Sequence, residues 1–285
     1  MKLEKRIHLA KGLTPVETEI AAYILENKDI IVDMNIQELS ESIPVSKSAI
    51  HRFCKKINLN GFNELKVQLA KDSYDSLNHD MLINVNYPFQ KDDNANEIGY
   101  KLIELYELTI KDTFDYLNFQ EIEQVAKIID QSSVVDIYTH SHNLNPAENF
   151  QDKMLTVGKM VNIPKTKYKQ RLTVLASDSR HVAVILSYSG KATFIKQVIR
   201  PLYEKNIPII LISQAGRNYY PEFIKYSIAL SDKESMQDRI SQFSSHIAMQ
   251  YVLDVIYATF FNLNRQKNIE YIRRYIHYMD DRQLD

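Results

Sequence analysis

Five short apolar runs in the second half of the chain restrict its fold more than any other feature. Val134–Tyr138, Met160–Ile163, Val182–Ser187, Ile207–Ser213 and the weaker Tyr226–Leu230 each have the length of a buried strand, and the segments between them are long enough for helices. Runs without polar alternation need cover on both faces, and strands that alternate with helices pair in parallel. The pattern predicts an α/β domain: a parallel five-stranded sheet flanked by helices. Helical spacing adds a long amphipathic helix from Asn96 to about Tyr116 and another from Phe119 to Ile129. An apolar helix at Phe243–Phe261 follows, then a polar tail with helical character to Asp285.

The first 77 residues follow a different rule, and their periodicity is helical throughout. Thr14-Pro15-Val16-Glu17 is a capping box with proline at the first helical position, and Ile20, Ala21, Ile24 and Leu25 repeat at helical spacing, giving a helix from about Pro15 to Glu26. A polar break at Asn27-Lys28-Asp29 precedes a short helix at Ile36–Ser42. Ile43-Pro44-Val45 ends that helix, and Ser46 caps another that runs to about Ile57. Phe62, Leu65, Val67 and Leu69 support one more helix, and the domain ends near Asp75. Two short helices around a tight turn, inside an all-α bundle, are the outline of a helix-turn-helix.

A chain of 285 residues exceeds the usual size of one core, which agrees with two domains. Residues 78–97 are rich in Asn and Asp with little periodicity, so they read as a linker or loosely structured crossing segment. The division is then 1–77 for the helical domain, 78–105 for the linker and the start of a connecting helix, 106–264 for the α/β domain and 265–285 for the tail. No apolar stretch is long enough for a membrane span, and MKLEKRIHLAKGLTP lacks the apolar core of a secretory signal; a cytoplasmic protein without membrane contact is expected. With a single cysteine, Cys54, no internal disulfide or thiolate zinc cluster can form. No cofactor and no metal site are expected. His140 and His142 stand at i and i+2 without a third ligand.

The net charge of −1 says little, but its distribution says more. SKSAIHRFCKKI, residues 46–57, holds Lys47, Arg52, Lys55 and Lys56 and no acid, whereas the remainder of the first 76 residues has an acidic excess. Ile50, Phe53, Cys54 and Ile57 share one helical face for the core. Lys47, Ser48, His51, Arg52 and Lys55 are left on the outer face. A recognition helix divides its residues in this way, with its N-terminal part reaching base edges and its cations neutralising phosphates. Ser46, Lys47, Ser48 and His51 are assigned mainly to the groove, and Arg52 and Lys55 to groove or backbone. A solvated basic face is the plain alternative, and Cys54 reads as core filling.

The elements LTPxExxIAxYIL, IQELxES, VSxSxIxRFCKKI and GFxELK together resemble the N-terminal domain of the RpiR family of sugar-phosphate-responsive regulators. The resemblance implies a helix-turn-helix followed by a sugar isomerase (SIS) domain, acting as a homodimer or homotetramer on operator DNA under control of a small phosphorylated sugar.

In the second half, Ser187-Tyr188-Ser189-Gly190 follows an apolar run and precedes a helical segment. Hydroxyls, a free glycine and open amides at the carboxyl end of a parallel strand suit an anion, with Thr193 near by; helix capping is the competing explanation. The turn resembles the SIS motif SxSGxT, which cradles the phosphate in that family, although Ala192 stands at the motif's threonine. By the same resemblance, Ser141, His142 and Asn143 occupy the first ligand loop, but without its glycines. Ser244 and Ser245 resemble a further serine pair of the ligand region or cap the last apolar helix. Glu148 is either a capping carboxylate or a pocket residue. An isomerase would need a positioned acid–base pair from among Glu148, His140, His142, His181 and His246, and no spacing selects one, so no catalytic residue is assigned. A third possibility is an α/β domain that serves only to dimerise.

Overall fold

The structure is a computed structural model that describes residues 3–10, 12–79 and 83–279. Residues 80–82 of the expected linker and 280–285 of the expected tail lie outside the described residues. The chain divides into two compact units, the first reaching Ile83 and the second beginning at Asn84.

The first unit is all-helical, with α1 (Leu3–Leu9), α2 (Pro15–Glu26), α3 (Lys28–Ile31), α4 (Ile36–Ser42), α5 (Lys47–Lys56) and α6 (Phe62–His79). Neither α1 nor α3 is signalled by the sequence pattern, because both are short and carry too few apolar residues for a period to stand out. The Thr14 hydroxyl accepts from the Glu17 amide while the Glu17 carboxylate accepts from the Thr14 amide, which closes the capping box that starts α2. Asn35 and Glu38 repeat the device at α4. Ile20, Ile24, Leu39, Ile50, Phe53, Cys54 and Leu65 meet in one core. Ile50 and Phe53 are fully buried, so truncating either to alanine costs roughly 2–5 kcal/mol. Cys54 fills the same core, and burial pushes its thiol up to about 11.

The second unit opens with an irregular segment, then α7 (Ala95–Tyr116) and α8 (Phe119–Gln131). There follow β1 (Val134–Tyr138), a 3-10 turn (Ser141–Asn143), α9 (Leu144–Leu155), β2 (Met160–Asn162), α10 (Lys167–Ala176), β3 (His181–Leu186), α11 (Ile195–Glu204), β4 (Ile209–Gln214), β5 (Tyr226–Leu230), α12 (Phe243–Leu263) and α13 (Arg265–Met279). All neighbouring strands pair in parallel, in the order β2-β1-β3-β4-β5. One face of the sheet, with Val135, Ile137, Val182, Val184, Ile210 and Ile212, packs on α8, α9 and α12. The other, with Tyr138, Ala183, Ile185, Ile209 and Leu211, packs on α10 and α11. Cover on both faces is why these strands read as unbroken apolar runs.

The segment read as a loose linker has structure of its own. Asn84 Oδ1 accepts from the amides of Asn86 (2.9 Å) and Tyr87 (3.1 Å), Pro88 is buried, and Asn94 caps α7 together with Glu97. Its partners lie in a loop some 150 residues ahead, a distance over which local pattern carries no information.

Candidate functional site

In the first unit, α5 divides its residues as a recognition helix would. The Ser46 hydroxyl caps it by accepting from the Ala49 amide at 3.2 Å. Ala49, Ile50, Phe53 and Cys54 are buried, while Ser46, Lys47, Ser48, His51, Arg52 and Lys55 lie outside the core. Lys56, equally basic in sequence, has a structural role, because its ammonium reaches the Gly12 carbonyl (2.6 Å) and the Glu17 carboxylate (2.6 Å). That cation, with the Thr14 amide, holds Glu17 down to about 2. Arg6 donates to the Asn58 carbonyl at 2.7 Å just beyond the helix end, so α1 fixes the helix that presents the exposed cations. His51 borders a groove shared with Asn35, Asn60, Asn63 and Lys66.

In the second unit, strand order reverses between β1 and β3: the chain leaves β1 for β2 on one side, then crosses to β3 on the other. A crevice opens at such a switch point beyond the carboxyl ends of the strands. Both expected ligand loops emerge there, side by side. Tyr138 at the end of β1 stands opposite Ile185 of β3, and the Thr139 hydroxyl donates to the Leu186 carbonyl at 3.0 Å.

The loop after β1 holds Ser141 at φ +58°, a left-handed conformation that glycine adopts freely and serine does not. The Ser141 hydroxyl lies 3.5 Å from Nδ1 of His142, and Asn143 is buried. Burial lowers the pKa of His140, with the positive charge of Lys167 adding to it. Burial also lowers that of His142, reinforced by Arg239. Both shifts favour the neutral imidazole, the form that enters as a hydrogen-bonding group rather than as a cation.

In the turn after β3, the Ser187 amide donates to the Ile212 carbonyl (3.1 Å) and Gly190 N–H returns to the Ser187 carbonyl (3.0 Å). Gly190 sits at φ +64°, and a Cβ built there would lie 1.9 Å from the carbonyl oxygen of Arg217. Only glycine fits. Ser187 is buried, Ser189 half-buried with its hydroxyl accepting from the Lys191 amide (3.2 Å), and Thr193 is exposed in the bend that leads to α11. Ser244 has a partner within the fold. It lies in the first turn of α12, buried, and accepts from the Thr109 hydroxyl of α7 at 2.9 Å, so its partner is a packing helix rather than a ligand loop.

Sequence reasoning missed three contributors to this end of the sheet. Gln170 of α10 donates to the Thr139 carbonyl (2.7 Å) and Gln214 to the Asp232 carbonyl (2.8 Å). In each, the amide oxygen is buried with no hydrogen-bond partner among the described residues. The third is Glu234, a buried carboxylate that accepts from the amide and hydroxyl of Ser245 (2.7 Å each) and pairs with Arg239, whose charge acts on His142. Polar residues in irregular loops give no periodic signal, so only the fold reveals them.

Of the other candidate acid–base groups, His246 in α12 stands near enough to His142 for its charge to act on that ring, whereas Glu148 and His181 are engaged elsewhere. Glu148 forms an ion pair with Lys165 at 2.6 Å. His181 starts β3, at the opposite end of that strand from the crevice, and its Nδ1 lies 2.8 Å from the buried Asp136 carboxylate, which also accepts from Ser177 and Asn162. Among the described residues, no three His, Cys, Asp or Glu side chains converge as metal ligands, and no helix is long and apolar enough to cross a membrane.

Residues 1–76 match the helix-turn-helix domain of the rpiR family. The first unit is an rpiR-family helix-turn-helix domain. An uncharacterized HTH-type transcriptional regulator from Caldanaerobacter subterraneus subsp. tengcongensis is 26% identical over 272 residues, 94% of this chain and 92% of that protein. The fold of the second unit is that of the sugar isomerase domain of an RpiR transcription factor from Sphaerobacter thermophilus, with 8% identity, a TM-score of 0.56, and coverage of 63% of this chain and 98% of that one. The Vibrio vulnificus NanR protein complexed with ManNAc-6P aligns over 98% of each chain at 13% identity and a TM-score of 0.60. The chain thus joins a unit that matches the rpiR-family helix-turn-helix to an α/β unit with the fold of a sugar isomerase domain, and it is similar along most of its length to HTH-type transcriptional regulators.

Proposed function

We propose that the protein binds operator DNA through α5 and that a phosphorylated sugar, bound in the crevice between β1 and β3, changes its affinity for that DNA. The observation that carries the reading is the emergence of two polar loops at the reversal of strand order, tied together by Thr139. The phosphate is assigned to the hydroxyls of Ser187 and Ser189, beyond a strand end, with Gly190 giving the turn a left-handed bend that no side chain obstructs. Ser141, His142 and Asn143 take sugar hydroxyls, with Thr193 at the rim; Ser244 belongs to the supporting layer. On DNA, Ser46, Lys47, Ser48 and His51 face the groove and Arg52 and Lys55 the phosphates. The ManNAc-6P carried by the NanR protein supports a sugar phosphate as the ligand class.

Catalysis is not assigned. Glu148 is paired with Lys165, and His181 lies at the far end of β3, away from the crevice. A homodimer or homotetramer is the assembly proposed, because operators read by paired helix-turn-helix domains have matching half-sites.

The test is thermal unfolding of the full chain with ManNAc-6P, glucose 6-phosphate, ribose 5-phosphate and inorganic phosphate, for the parent and for Ser187→Ala with Ser189→Ala. A ligand at a hundredfold excess over its Kd stabilises by about 2.7 kcal/mol. The reading expects one sugar phosphate to raise the parent's midpoint and the double variant to lose that rise. An equal rise in the double variant moves the ligand elsewhere.

A further inference from the structure

Tyr188 lies in the middle of the proposed phosphate turn, yet its side chain leads away from it. Its hydroxyl is buried and donates to the carbonyls of Ser231 (2.9 Å) and Glu234 (3.4 Å). Beside it, the Gln214 backbone amide donates to the Tyr188 carbonyl (2.9 Å), and the Gln214 side chain holds the Asp232 carbonyl. The first half of the irregular loop 231–242 is therefore bonded directly to the turn that would receive the phosphate.

The same loop is also bonded, further along, to the start of the unit. Asn86 clamps it at two points: its side-chain oxygen accepts from the Ser235 amide (2.7 Å) and its backbone carbonyl from the Ile240 amide (3.0 Å). The Tyr87 hydroxyl donates to the Asp238 carboxylate, and the ring of Phe89 meets that of Phe243 edge-on at 6.3 Å. This strap, residues 84–94, comes directly after the boundary at which the helix-turn-helix unit ends, and it leads into the cap of α7.

We infer that Tyr188, the loop 231–242 and the strap 84–94 form the mechanical link by which an occupied crevice acts on the DNA-binding unit. The inference rests on the ligand-controlled reading above and names the route that reading leaves open. Each join in the route is anchored by hydrogen bonds to backbone, and this network, not any regular structure of the 12-residue loop, is what carries a shift of the phosphate turn to the strap. The Glu234–Ser245 bonds fix one point of the loop on α12 and provide the fulcrum.

The experiment uses the full chain, a DNA duplex selected by that chain from a random library, and whichever of ManNAc-6P, glucose 6-phosphate and ribose 5-phosphate alters the parent's DNA affinity. Fluorescence anisotropy gives the ratio of DNA Kd with and without the compound, typically about 5- to 150-fold for a coupled pair of sites. Asn86→Ala combined with Tyr87→Phe is expected to keep the thermal shift with the compound and a DNA Kd within about twofold of the parent, while the ratio falls below about twofold. Tyr87→Phe alone removes one hydroxyl at the surface, preserves the fold, and is expected to lower the ratio part-way. Ratios equal to the parent's in both variants overturn the link. A parent that shows no ratio with any compound overturns the ligand-controlled reading itself.

Discussion

Gly190→Ala and Gly99→Ala are the same chemical change at two sites of one unit, and the structure gives them opposite signs. Gly190 holds φ +64°, and an alanine Cβ there would overlap the Arg217 carbonyl oxygen at 1.9 Å, a backbone atom rather than the far end of a flexible side chain. The left-handed conformation costs alanine about 1–2 kcal/mol and forced overpacking about 1–3 kcal/mol, so a loss of about 2–5 kcal/mol is expected. Gly99 lies in the exposed part of α7, where an added Cβ meets nothing within 4 Å. There alanine is the better helix former and stabilises by about 0.5–1 kcal/mol. Urea unfolding monitored by circular dichroism at about 222 nm, the helix band, measures both, since the chain has no tryptophan to report on folding. A Gly190→Ala protein within about 0.5 kcal/mol of the parent, or a Gly99→Ala protein as unstable as Gly190→Ala, refutes the reasoning about the turn.

Three further outcomes follow from the first unit. Arg52→Ala and Lys55→Ala are each expected to reduce the slope of log Kd against log salt for DNA binding by about one, measured by anisotropy across a salt series, while leaving stability within about 0.5 kcal/mol. Lys56→Met is expected to do the reverse, lowering the thermal midpoint without changing the salt slope, because its ammonium is committed to Glu17 and Gly12. Glu17 has its pKa lowered in the folded chain from 4.5 to about 2, so its contribution is complete above pH 4.5 and disappears as pH falls towards 2. Acid titrations of the parent and of Glu17→Gln should therefore differ at about pH 6 and converge by about pH 2. Curves that stay parallel would show that the ion pair is not formed.

How much of this is legible in the sequence depends on the range of the information. The two faces of α5 can be read residue by residue, because amphipathic spacing is local and Ser46 marks the start. The five strands emerge to within two residues at each end, since cover on both faces makes each one an apolar run. By contrast, α1 and α3 escape because they are held by tertiary contacts such as Lys28 with Glu4 rather than by a period of their own. The strap reads as a linker because Asn and Asp cap turns as readily as they fill loose chain, and its bonds to Ser235 and Ile240 join positions remote in sequence. The first ligand loop, residues 139–143, holds no glycine, yet one of its residues needs a glycine-like backbone. Ser141 takes the left-handed conformation itself, a strain that sequence alone does not reveal. Ser244 is singled out by resemblance, and its bond to Thr109 becomes visible only once α7 lies against α12.

The most direct test of the central claim is the affinity of the full chain for its selected DNA duplex, measured by anisotropy at fixed salt with and without a saturating sugar phosphate. The account predicts at least about a fivefold change with one of ManNAc-6P, glucose 6-phosphate or ribose 5-phosphate, and none with inorganic phosphate at the same ionic strength. Tight binding to DNA that no sugar phosphate alters would contradict it, leaving a regulator whose α/β domain has another purpose.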